Sequence, residues 1–209
     1  MLIDYTYFIG KINLPQRTTE DGQADLNLFI ALYEQKYLQC VLGFDLWKAF
    51  TDGINVEDSG LIDERWLNLL DGVDYAYQGK NGHWAGFTPD FGSGLDYLKV
   101  SPIANYVYYQ YMANRSSDTM GVGEVVSETD NNKTVNGMRK MITAWNDMVQ
   151  MNVSLYRYLS ANKTVYPEWK VCGSCSYAWV WSWPVYYNRC RRCSDFCDDI
   201  FKLKNILDI

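Results

Sequence analysis

The sequence predicts a mainly α fold: a helical bundle with a small β-hairpin and an extended Cys- and Trp-rich C-terminal tail. Three observations predict it. Met138, Ile142, Trp145, Val149, Asn152, Tyr156 and Leu159 advance by steps of three or four, which makes one stripe on an α-helix. Asn81-Gly82 stands between the aromatic runs Tyr75–Tyr77 and Trp84–Phe87, a strong short-range hairpin signal. Five of the six cysteines crowd into Cys172–Cys197, beside Trp179, Trp181 and Trp183. The chain divides accordingly into an extended N-terminal arm (1–23), a helical body (24–160, with the hairpin near 73–88 and a long loop at 115–134) and a Cys-rich tail (161–209).

Taken in order, Met1 to Leu14 alternate loosely through Ile3, Tyr5, Tyr7 and Ile9 before Pro15, which reads as an extended arm. Such an arm lies either on its own fold or on a neighbour. Asp21-Gly22 is a turn signal. From about Ala24 to Leu42 the apolar positions Leu28, Leu32, Tyr33, Leu38 and Val41 share most of one helical face, and Gly43 falls where a helix C-cap belongs. Phe44–Phe50 suits a further helical turn or two, and Asp63–Leu70 a short helix closed by Asp71-Gly72. His83, the single histidine, is placed at the hairpin turn.

Ser101-Pro102 opens the next helix, IANYVYYQYMANR, with serine as cap and proline at the first helical position, where a missing N–H is no loss. The last long helix runs from about Val135 to Leu159. Between them lies RSSDTMGVGEVVSETDNNKT, a loop long enough to be functional or mobile. Val122, Val125 and Val126 suit a short strand there. The Gly121-x-Gly123 pair has no strand-to-helix frame and is no nucleotide fingerprint.

Composition restricts function. The net charge is −6 and the pI about 4.8, which disfavours a global grip on nucleic acid. Split at Ser160, the tail carries seven basic and five acidic residues, leaving twelve basic and twenty acidic on the body. No basic segment followed by an apolar core stands at Met1, so no signal peptide is expected. No apolar run approaches the roughly 18 residues of a spanning helix. A protein assembled inside a cell, without a membrane partner, is the expectation. Enzyme activity is not expected, since no serine or cysteine nucleophile has a positioned histidine.

Cys172-Gly-Ser-Cys175 and Cys190-Arg-Arg-Cys193 are two CxxC pairs separated by fourteen residues. That approaches zinc-ribbon spacing, in which four thiolates converge on one tetrahedral ion. Structural Zn2+ would stand in for the core that so short a segment lacks, with Cys197 as a substitute ligand. Reduced structural cysteines, disulfides and redox use are the alternatives.

The runs FIALYEQKYLQCVLGFDLW (Phe29–Trp47), SPIANYVYYQYMA (Ser101–Ala113) and KMITAWNDMVQMNVSLYRYL (Lys140–Leu159) resemble head–tail connector, or adaptor, proteins of tailed phages. Those of crAss-like and other Bacteroidales phages come nearest. The resemblance covers roughly Leu26 to Leu159. It implies a mostly helical virion protein of the head–tail neck without enzyme activity. Such a subunit forms a ring of about twelve copies beneath the portal protein, with further neck or tail proteins below and double-stranded DNA passing without specific binding. C-terminal segments of the family commonly dock on the portal, but the Cys- and Trp-rich tail departs from its pattern.

A ring repeats one heterologous contact, so each subunit needs two different sticky faces. Tyr106, Tyr108, Tyr109 and Tyr158, the loop valines Val122, Val125 and Val126, and the tail residues Trp179, Trp181 and Trp183 are the candidates for such faces. Carboxylates facing the channel would repel DNA phosphate. The alternative is a zinc-ribbon nucleic-acid-binding or regulatory protein with a helical dimerisation body.

Overall fold

The computed structural model describes residues 1–14, 18–55, 62–89, 100–115, 118–120, 123–125, 137–170 and 202–204. Among them the chain is mainly helical, with five α-helices, two 3-10 turns and two two-stranded antiparallel sheets.

α1 spans Glu20–Leu42, and Thr19 caps it by accepting from the Gly22 N–H. Glu20 and Asp21 in its first turn favour the positive end of the helix dipole. Asp21-Gly22, expected to turn, is therefore the start of the helix. The expected core face also needs correction. Leu26, Ile30, Tyr37, Leu38, Val41 and Leu42 are buried, whereas Leu28 and Leu32 are 68% and 61% exposed.

Gly43, at φ 76°, ends α1 and admits α2, Phe44–Ile54. α3 runs from Glu64 to Asp71, with the Asp63 carboxylate accepting from the Arg65 N–H and Gly72 closing it.

The hairpin forms, but its turn is elsewhere. β1 is Val73–Tyr77 and β2 is Lys80–Trp84, with Tyr77 opposite Lys80. Gln78-Gly79, both at positive φ, is the two-residue turn, and Asn81, Gly82 and His83 lie in β2. This register puts Gly82 opposite Tyr75, where an added Cβ would come within 2.6 Å of the tyrosine ring. It also buries Trp84, whose indole N–H donates to the Leu69 carbonyl at 3.2 Å. A one-residue slip would turn Trp84 outward, so burial outranks the Asn-Gly preference.

α4, Pro102–Arg115, is the central helix. The Ser101 hydroxyl accepts from the Ile103 and Ala104 N–H groups and donates to the Phe87 carbonyl at 2.6 Å. Every residue from Pro102 to Tyr108 is buried, as expected of a helix apolar on all sides. α4 packs against both α1 and α5, Gly137–Ala161. Arg115 pairs with Asp25 at 3.2 Å, which sets the end of α4 beside the start of α1. Tyr37 crosses the bundle to donate to Asn152, the one buried polar position of the α5 stripe. The hairpin packs on the outer half of α5 through Tyr75, which stacks on Tyr158 and bonds Ser154.

The first fourteen residues are not an extended arm. They form 3-10 turns at Tyr5–Tyr7 and Gly10–Ile12 and bury Ile3, Tyr7, Phe8, Ile12 and Leu14 in the common core. The N–H groups of Leu2 and Ile3 donate to Glu34 on α1. Within the long loop, β3 (Asp118–Met120) pairs with β4 (Gly123–Val125).

Candidate interaction surfaces

His83 stands opposite Asp74 across the hairpin, and its Nδ1 lies 2.7 Å from the carboxylate. Both side chains are exposed. The Ser154 hydroxyl donates to the His83 backbone carbonyl rather than to its ring. The pair is a cross-strand contact. Among the described residues no group of three or more His, Cys, Asp or Glu is placed to hold a metal. Cys172, Cys175, Cys190, Cys193 and Cys197 lie outside the described residues, as do Trp179, Trp181 and Trp183. Cys40, on α1, is disulfide-bonded. No helix among the described residues is long and apolar enough to cross a membrane.

The tyrosines expected to face neighbours divide. Tyr106, Tyr108 and Tyr158 are 1%, 2% and 4% exposed, and belong to the core rather than to an outer face. Burial pushes Tyr106 up to about 12 and raises Tyr108 and Tyr158, so all three remain neutral hydroxyls. The physical reason is helix geometry: α4 is covered on both flanks and from the side of Phe87, leaving no outward stripe for Tyr108. Tyr109 is half-buried at the α4–α5 seam. Val125 lies in β4, while Val122 and Val126 are outside the described residues.

Two surfaces emerge that the sequence reading missed. On α1, Ala24, Asn27, Leu28, Ala31, Leu32 and Gln35 are exposed, at offsets of three, four, seven, eight and eleven. That spacing forms a second stripe opposite the buried one. Half-buried Phe29 and Tyr33 stack beside it at 5.7 Å and reach Tyr111 and Tyr106. The outer stripe was legible as periodicity, but periodicity alone could not say which stripe is inside.

The second surface is a groove between α4 and α5 that holds residues 202–204. The Asn146 side chain accepts from the Lys204 N–H at 2.9 Å and donates to the Lys204 carbonyl at 3.1 Å. The Trp145 indole N–H donates to the Lys202 carbonyl at 2.7 Å. The Lys204 ammonium lies 4.6 Å from the Tyr109 ring centre and 4.4 Å from that of Trp145, and donates to the Tyr109 hydroxyl at 2.8 Å. A cation over two aromatic faces gains electrostatically from both. The two-way amide pairing reads extended backbone as a β-strand would.

Charge is distributed by end. The start of α1 carries Glu20, Asp21 and Asp25, and the start of α5 carries exposed Arg139 and Lys140. Both helix starts lie at the same end of the bundle, beside the C-terminus of α4.

Comparison with protein-family models, with curated proteins and with solved structures found no match.

Proposed function

We propose that the chain is a structural ring subunit, a head–tail connector of a tailed phage. In this reading it sits between the portal protein and further neck or tail proteins and surrounds the channel through which DNA passes. The observation that carries the reading is the pair of exposed leucines, Leu28 and Leu32, on the outer face of α1. Two large apolar side chains one helical turn apart on an exposed face suit coverage by a partner. The occupant is a second copy of the chain. Repetition around an axis brings the exposed leucines of α1 on one copy to a different face of the next. At the end where both helices start, acidic Glu20 and Asp21 then meet basic Arg139 and Lys140 at the same height, which favours this pairing over its reverse. The resemblance noted in the sequence supports the same conclusion. The acidic body suits a conduit, because a negative wall repels phosphate and lets DNA slide.

The test is assembly. Mass photometry and negative-stain microscopy of the purified chain are expected to show closed rings. Leu28→Asp combined with Leu32→Asp is expected to leave monomers whose stability differs by no more than about 0.5 kcal/mol per site, as for exposed positions generally. A monomeric parent chain, or rings unaffected by the double substitution, would overturn the reading.

A further inference from the structure

Cys40 lies half-buried in the last turn of α1, packed against the core, and is disulfide-bonded. The other five cysteines of the chain all lie between Cys172 and Cys197, so its partner is one of those five. They differ in reach. Lys170 pairs with Asp45 in the first turn of α2, just past the end of α1. That ion pair is exposed and adds little stability, but it marks the α1–α2 corner as the place where the chain leaves the body. Trp169, beside it, meets Tyr156 of α5 edge to face. Cys172 follows Lys170 after two residues, at most about 7 Å of chain.

The far end of the tail is held elsewhere. Phe29 meets Tyr111 and Tyr33 meets Tyr106, so Tyr109, which accepts from Lys204, is level with residues 29–33 of α1. Cys40 is at least seven residues further along that helix, about 10 Å. The loop from Lys170 is shorter to Cys172 than to any other tail cysteine, and a shorter loop costs less chain entropy to close.

Cys172 is also half of a CxxC pair, which places a second thiol three residues from the bond. We propose that Cys40 and Cys172 form a redox staple that fastens the start of the tail to α1, and that Cys175 is the thiol that opens it. To close, the two thiols exchange with a low-molecular-weight disulfide such as oxidised glutathione, giving the Cys40–Cys172 bond and two molecules of reduced glutathione. To open, the Cys175 thiolate attacks Cys172 Sγ. The Cys172–Cys175 bond forms, the Cys40–Cys172 bond breaks, and the departing Cys40 thiolate takes up the proton that Cys175 released. A reducing compartment keeps the staple open, and oxidising surroundings close it. A four-thiolate zinc site on both CxxC pairs would need the same Cys172, so the metal-loaded and the stapled tail are alternative states. The staple does not depend on the ring reading.

The experiment uses the full chain, oxidised with glutathione, alkylated, and digested with trypsin without reduction. Mass spectrometry is expected to find peptide 37–48 joined to peptide 171–189, with one cysteine of the latter alkylated. Peptide 37–48 found alkylated, joined to a peptide carrying Cys190, Cys193 or Cys197, or joined to its own copy would overturn the assignment. Cys172→Ser is expected to lose the joined species, and an undiminished yield would overturn Cys172 as the partner. Cys175→Ser is expected to keep it but to slow the release of Cys40 into reduced glutathione by about tenfold or more, because a thiol within the chain acts at high effective concentration. Release at the parental rate would overturn Cys175 as the opening thiol. A parent chain that never releases Cys40 would overturn the switch.

Discussion

Glu34 lies buried on α1, where its carboxylate accepts from the Leu2 and Ile3 N–H groups. Burial is the largest influence on its acidity and raises it above the ordinary 4.5, against the two backbone donors and the nearby α-amino group. The folded chain therefore holds this proton more tightly than the unfolded chain. The stabilisation linked to it is fully present below pH 4.5 and is lost as pH rises through the folded value. Urea midpoints measured from pH 4 upward are expected to show that fall in the parent and a flatter profile in Glu34→Gln. Equal slopes in the two would rule the carboxylate out as its source. The tail cysteines are a second residue-scale question. Their spacing predicts about one zinc per chain, measured by elemental analysis of protein purified without chelator under reducing conditions. Metal-free protein would remove the idea.

At the scale of elements, Ser101 shows how one side chain joins two segments. Its hydroxyl caps α4 and donates to Phe87, the residue that closes the hairpin region against the core. Phe87 meets Trp84 and Tyr37 edge to face and Phe50 at a tilt, so the start of α4 is fixed to the centre of the aromatic core. Ser101→Ala removes the cap and leaves buried polar groups unmatched, an expected loss of about 1–2 kcal/mol. Denaturant titration reads it, and an unchanged midpoint would mean that the cap bears no strain. The Ser-Pro signal for this helix was legible in sequence because capping is local. The hairpin turn was not. Asn81-Gly82 and Gln78-Gly79 both offer two-residue turns, and the choice depends on Trp84 reaching the Leu69 carbonyl across fifteen residues.

For the whole molecule, α1 leaves Leu28 and Leu32 exposed and carries acidic residues at its start, while the start of α5 carries Arg139 and Lys140. The proposed ring would cover those leucines with a second copy. The Leu28 and Leu32 substitutions test it because both side chains point away from the subunit's own core, so losing them removes association without opening a cavity. A rise in salt is expected to weaken the rings if the Glu20–Asp21 and Arg139–Lys140 ends contribute, since exposed charges are screened within about 10 Å at 0.1 M.

The sequence by itself determined the helical class, the positions of the five α-helices to within a few residues, the capped start of α4 and the buried stripe of α5. Each depends on signals within a turn or two of the residue concerned: caps, proline and periodicity. Tertiary structure decided which stripe of α1 faces inward, where the hairpin turns, that the first fourteen residues fold back on the body, and that Tyr108 is core while Tyr109 meets Lys204. These outcomes depend on contacts between residues fifteen to a hundred positions apart, such as Trp84 with Leu69, Leu2 with Glu34 and Tyr109 with Lys204. A stripe of leucines carries no information about which partner will cover it; packing against α4 resolved that for one face of α1 and left Leu28 and Leu32 exposed on the other.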